Sequence, residues 1–148
     1  MEKEKGEEDE QSTCLWMLPE GCIAQILALT SPMDVCRLSL VSPNLRSVAD
    51  SDSVWAKFLP CDYRSIIARS PTPIPDFQSL KDLYVYLSHH PLLIDQGRKI
   101  FSLEKWTGKI CYFLGARDLN IVWGDTPEYW EWTSLPESRF AIFQRISY

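Results

Sequence analysis

LPEGCIAQILALTSPMDVCRLSLVSPNLRSVADSDSVWAKFLP, residues 18 to 60, fits several short helices into 43 positions and gives each its own start. Leu18-Pro19 opens the first, Ser31-Pro32 with Asp34 the second, Ser42-Pro43 the third, and Ser51 or Asp52 the run that contains Trp55. Proline suits a first helical position because it has no N–H to leave unsatisfied there, and a serine oxygen accepts from the next free amides. The spacing predicts a first helix over about Glu20 to Leu29, with Cys22, Ile26 and Leu29 on one stripe and Ile23 and Leu27 beside it. A second helix, about Pro32 to Val41, is apolar at Met33, Val35, Cys36, Leu38, Leu40 and Val41, nearly all round, and so needs cover on more than one side.

Helices this short cannot bury one another completely. A contiguous apolar patch larger than roughly 300 to 600 Å² then marks an interaction surface. Packing of the same residues against the C-terminal half is the alternative that the residues alone leave open. Leu45, Val48 and Ala49, then Val54, Trp55, Phe58 and Leu59, repeat the inward-facing spacing, and Trp55 is expected to plug the helical core rather than anchor a partner.

The pattern Leu-Pro, then Ile23, Ile26 and Leu27, then Ser-Pro-x-Asp-Val-Cys-Arg, then a closing Trp55, resembles an F-box, specifically the plant version that precedes a phloem-protein-2-like lectin domain. The resemblance implies binding to the Skp adaptor of a cullin-based ubiquitin ligase, with Leu18, Pro19, Ile23, Ile26, Leu27 and Val41 meeting the adaptor. Through the adaptor it implies a cullin as a further partner, and the rest of the chain would choose the substrate.

The chain has 148 residues and 45% hydrophobic content, enough for a real core in one domain or in two small units that lean on each other; two units is the reading adopted. Of the net charge of -5, residues 1 to 11 (MEKEKGEEDEQ) carry -4, which predicts a solvated acidic tail over 1–14 and a nearly neutral body. Such a body has no clustered cationic face to displace phosphate counterions, so no nucleic-acid partner is expected. The five cysteines, Cys14, Cys22, Cys36, Cys61 and Cys111, are odd in number and form no C-x-x-C pair, and read as reduced small hydrophobes. The N-terminus is charged where a signal peptide is apolar, and no apolar run approaches the ~20 residues of a membrane span, so cytoplasm, nucleus or both is the expected location.

The F-box is assigned to 15–62, and a helical and proline-rich connector to 63–100. A helical extension over Asp62 to Arg69 ends at Ser70-Pro71-Thr72-Pro73-Ile74-Pro75, where alternate prolines stop regular structure. A further helix follows, capped by Ser79 with Asp82, apolar at Leu80, Leu83, Tyr84 and Leu87, and ending at His89-His90-Pro91. Neighbouring histidines on a helix end do not converge on one ion, and no second pair has zinc spacing, so neither a metal nor a cofactor is expected. With His89 and His90 as the chain's two histidines and no Gly-rich phosphate loop, no catalytic residues are assigned, and a non-catalytic adaptor is expected.

From residue 101 the pattern changes: 11 of the 18 aromatic residues lie in the last 48 positions, and helical spacing gives way to alternation. Lys109 to Leu114, Leu119 to Trp123 and Tyr129 to Trp132 read as strands, with Gly124-Asp125-Thr126-Pro127 as a turn. WTGKICYFLGARDLNIVWGDTPEYWEWTSLPESRF, residues 106 to 140, resembles the opening of the phloem-protein-2 lectin domain, a jelly-roll sandwich that binds N-acetylglucosamine-containing glycans. By position in the motif, Trp123 and Trp130 correspond to sugar-site tryptophans of that family. An indole can stack on the apolar face of a pyranose, although a tryptophan in a sandwich is more often core.

The overall expectation is an α+β chain: an all-α F-box module, a linker and helix, then a partial antiparallel β segment over 101–148. The resemblance implies that the lectin domain is incomplete, with about three or four strands of about 5 to 6 residues. The functional expectation is an F-box receptor that presents a glycosylated or other substrate for ubiquitination. A carbohydrate-binding lectin, or a competitor that occupies the adaptor and recruits nothing, is the alternative.

Overall fold

The structure, a computed structural model, describes residues 17–126, 128, 130–133 and 143–146; of Arg117 and the last two stretches it describes the backbone alone. The acidic tail over 1–14, with Cys14, lies outside the described residues. The fold is α+β. Six helices, α1 Glu20–Ala28, α2 Pro32–Leu38, α3 Pro43–Ala49, α4 Asp52–Trp55, α5 Tyr63–Ala68 and α6 Leu80–His89, precede an antiparallel sheet of β1 Leu92–Ile94, β2 Lys99–Leu103 and β3 Ile110–Leu114. A separate hairpin pairs β4 Trp130–Thr133 with β5 Phe143–Ile146.

The starts of α2 and α3 form as their residues dictate. Ser31 Oγ accepts from the Asp34 amide and Ser42 Oγ from the Leu45 amide, each at 3.2 Å, with proline at the first helical position. At α1 the role differs: Pro19 is the flanking residue itself, and its carbonyl accepts from the amides of Cys22 at 2.9 Å and Ile23 at 3.2 Å. At α6, Ser79 Oγ accepts from the Asp82 amide at 3.1 Å and donates to the Asp82 carboxylate at 2.8 Å. The second helix ends at Leu38 rather than Val41: Leu40 and Val41 turn back in short-range hydrogen bonds to Arg37 and Leu38.

Ile23, Leu27, Val35, Leu45, Val48, Val54 and Trp55 from the first four helices share one buried cluster with Ile66, Leu83, Tyr84, Leu87, Leu92, Ile94, Phe101 and Leu103 from downstream. The two units expected from the sequence therefore have one core, and the proline-rich segment runs alongside it. Trp55 stands at the junction. Its indole N–H donates to the Ala49 carbonyl at 2.7 Å, and its ring lies 5.2 Å from that of Tyr84 and 5.7 Å from that of Phe58. Polar ties reinforce the seam: the Leu80 amide donates to Asp52 at 2.8 Å, Lys81 pairs with Asp50, and the Met33 amide donates to the Trp106 carbonyl at 3.3 Å. Gly108 holds φ +74°, so this turn needs glycine for its conformation; a Cβ there would make ordinary contact with Pro32 Cγ at 3.4 Å.

The β region starts at Leu92, inside the stretch expected as connector; β1 was not anticipated, and β2 straddles the expected start of the β segment at residue 101. Asp95, Gln96 and Gly97 all take positive φ between them, and Asp95 is held by Arg69 at 3.6 Å and Lys99 at 3.4 Å. The strand expected over Leu119 to Trp123 is absent. A 3-10 turn over Ala116–Asp118 and a turn with Trp123 at φ +58° replace it, because a positive φ at that residue ends extended chain. β3 pairs with β2 in the register Phe101↔Tyr112, and Ile110, Tyr112, Phe113 and Leu114 are exposed on both of its faces. Among the described residues, no helix is long and apolar enough to cross a membrane.

Candidate docking face and sugar site

Two stripes on α1 satisfy the same helical spacing, and tertiary packing assigns them opposite roles. Ile23, 3% exposed, and Leu27, 0% exposed, turn into the core against α3 and α4. Both were expected to meet an adaptor; the structure places them in the protein's own core rather than on its surface. Leu18 and Pro19 lie exposed before the helix, and Cys22, 40%-exposed Ile26 and 88%-exposed Leu29 face outward along it. Val41 at 63% and Leu40 at 79% stand out from the turn between α2 and α3. Leu40, Pro43, Arg46 and Asp50 help to line a shallow depression of about 500 Å³ beside Val41.

Leu29 and Leu40 were not among the expected contact residues. The signal for Leu40 was the excess of apolar positions in the second helix, which its own fold does not cover. The uncovered face carries a thiol too: Cys22, Cys36 and Cys61 are free and exposed and Cys111 free and half-buried, so the first three are surface groups rather than small core residues.

The sugar-site positions are placed differently. Trp123 is 69% exposed in the turn after the Ala116–Asp118 helix. Trp130 is the first residue of β4, paired with Ile146, and its side chain lies outside the described residues. His89 and His90 cap their own helix: their Nδ1 atoms lie 2.8 Å from the Val85 carbonyl and 3.1 Å from that of Tyr86, and the His90 ring stacks on Tyr86 at 4.3 Å. Among the described residues, no group of three or more His, Cys, Asp or Glu side chains could hold a metal ion.

Electrostatics single out the loop that joins β2 to β3. The Thr107 hydroxyl and amide, at 2.6 and 2.7 Å, hold the Glu104 carboxyl below the usual carboxylate range. Burial pushes the Tyr84 phenol well above its ordinary value, with the negative charge of Glu104 as a second cause. Its hydroxyl donates to the carbonyls of Glu104 at 3.0 Å and Lys105 at 3.2 Å, which fixes this loop to α6.

The F-box domain family matches residues 15–57, and the family described as Phloem protein 2 matches residues 109–147. The chain is an F-box protein with a Phloem protein 2 segment downstream, of the plant PP2-like group. Its homologues are F-box proteins of Arabidopsis thaliana. It is 50% identical to F-box protein PP2-B15 over 125 residues, which cover 84% of this chain and 43% of that protein. It is 46% identical to F-box protein PP2-B10 over 128 residues, 86% of this chain and 46% of that one, and 47% identical to F-box protein VBF over 127 residues, 86% and 45%. The chain spans less than half the length of the curated relatives it matches. No solved structure matches it.

Proposed function

We propose that this protein is the receptor subunit of a Skp-cullin-F-box ubiquitin ligase, docking on the Skp adaptor through Leu18, Pro19, the outward stripe of α1 and the Leu40-Val41 turn. The observation that carries this reading is the F-box match over 15–57 on helices that leave Ile26, Leu29, Leu40 and Val41 uncovered. A partner that covers such side chains gains burial free energy that the fold itself does not take up, and a protein interface of standard size, ~1,600 Å² in total, is within reach of a module of this length. The chain itself catalyses nothing in this scheme: ubiquitin transfer belongs to other subunits, and cytoplasm or nucleus is where the complex works.

Co-purification with a Skp adaptor tests the proposal. The paired change Ile26→Asp and Leu29→Asp lies on the solvent side, so it should leave helical content unchanged while weakening capture by at least about 2 kcal/mol, the range of interface hot spots. Undiminished capture by that variant, or by Leu18→Ala with Pro19→Ala, overturns the docking assignment.

The segment after residue 101 is the proposed recognition arm, for a glycosylated or other protein substrate. Exposure of Trp123 in a turn supports sugar stacking at that position. Glycan-array signal lost on Trp123→Ala and on Trp130→Ala is the expected result. A blank array from folded protein removes the glycan and leaves docking intact, the behaviour of a competitor that occupies the adaptor without recruiting a carbohydrate ligand.

A further inference from the structure

The apolar excess of α2 has a second outlet besides the docking face. Met33, Cys36 and Leu40 lie at i, i+3 and i+7 and form one wall of a groove of about 420 Å³; Val85 and Ser88 of α6 form the opposite wall. Trp55 and Tyr84, both fully buried in the core, form its floor, and Trp106, 52% exposed on the loop after β2, closes one end. The volume falls within the range of about 300–1,000 Å³ typical of small-molecule sites, and the lining is mainly apolar, with Trp106 as its open ring.

Charge narrows the occupant. The chain as a whole carries -5, yet the charged residues that line the groove are both cations, Arg37 and Lys105. Lys105 makes no ion pair among the described residues; its ammonium lies 4.8 Å from the centroid of the Trp106 ring. Arg37 is two-thirds exposed and meets Asp34 at 3.4 Å, a surface pair that leaves most of its donors free. The nearest acid on the loop, Glu104, accepts from the amides of Trp106 and Thr107 and from the Thr107 hydroxyl. An apolar cleft with an open indole at Trp106 and a cationic lip is complementary to a flat hydrophobic body that carries one negative group.

We infer that this groove is a binding site for a small aryl carboxylate, its ring between Met33, Val85 and Trp106 and its carboxylate at Lys105 and Arg37. The site joins the F-box helices to the downstream half; it shares Leu40 with the proposed docking turn and does not involve the outer stripe of α1.

Calorimetric titration of the full chain with 2-naphthoate and with the neutral 2-naphthamide tests the assignment. Expected is saturable one-site binding of the acid, tighter than the amide, weakened about two- to fivefold by Lys105→Met, the worth of an exposed ion pair. Lys105→Met should leave the amide unaffected. Filling the groove from either wall, by Val85→Trp or by Cys36→Phe, should abolish binding; both positions are exposed, and thermal unfolding of each variant checks that the fold is intact. Occupancy should also slow alkylation of Cys36 while leaving Cys61 unchanged. Absence of saturable binding, equal binding of acid and amide with no effect of Lys105→Met, or persistence of binding in both filled variants overturns the inference.

Discussion

At the scale of single residues, Trp55 and Tyr84 connect the parts of the molecule. Trp55→Phe keeps a ring in place and removes the donor to the Ala49 carbonyl, leaving a buried acceptor unsatisfied, at a cost of about 1–3 kcal/mol. Trp55→Ala also opens a cavity, and about 3–5 kcal/mol is expected, a large share of the about 5–15 kcal/mol that holds a typical domain folded. Urea denaturation followed by circular dichroism measures both. Tyr84 makes stability depend on alkaline pH. Its phenol is held protonated in the fold above the ordinary value, while the unfolded chain releases that proton near pH ~10. The contribution is therefore fully present below about pH 10 and declines as pH rises through the folded value. Urea midpoints from pH 8 to 11 should fall more steeply for the wild type than for Tyr84→Phe, which has no proton to lose; parallel curves would show that Tyr84 carries none of the slope.

At the scale of elements, each short helix relies on its first turn. Ser31→Ala and Ser42→Ala each remove an acceptor for a helix-starting amide, and each should cost about 0.5–2 kcal/mol, read from the shift of the urea midpoint. These caps were legible in the sequence because donor and acceptor lie three residues apart and no distant contact is needed to form them. The inward faces of α3 and α4 were legible for a similar reason, since Leu45, Val48, Ala49, Val54 and Trp55 leave no competing apolar stripe. On α1 the two stripes differ by one residue in phase, and only the position of α3 and α4 decides that Ile23 and Leu27 go inside. Local pattern could not separate the buried stripe from the exposed one there. β1 escaped notice because Leu92–Ile94 is three residues long, too short to show alternation, and two of the three positive-φ positions of its turn, Asp95 and Gln96, are not glycine. Leu119 to Trp123 alternates well and still turns, so turn conformation overrides a period-two pattern.

At the scale of the whole molecule, the shared cluster predicts an unusual response to proteolysis. A protease that cuts within the exposed stretch from Ser70 to Pro75 should leave two fragments that still co-elute, because Tyr84, Leu87 and Phe101 remain buried against Trp55 and its neighbours. Size-exclusion chromatography of the nicked protein, with mass spectrometry of the peak, checks this. Separation into two independently folded pieces under native buffer would contradict a common core. Neither the composition nor the proline run announced that union: a run such as Ser70-Pro71-Thr72-Pro73 stops regular structure locally, but local structure says nothing about whether the chain on its far side returns to the same interior.

That common interior limits what an engineer can transplant. Residues 17 to 62, cut out as a cassette and fused to a foreign receptor, would carry away Trp55 and Phe58 without the rings and aliphatic chains that roof them in this molecule. Their graft would need either a new lid designed over those rings or the downstream helix from Leu80 to His89 and the strand from Lys99 to Leu103 brought along with it.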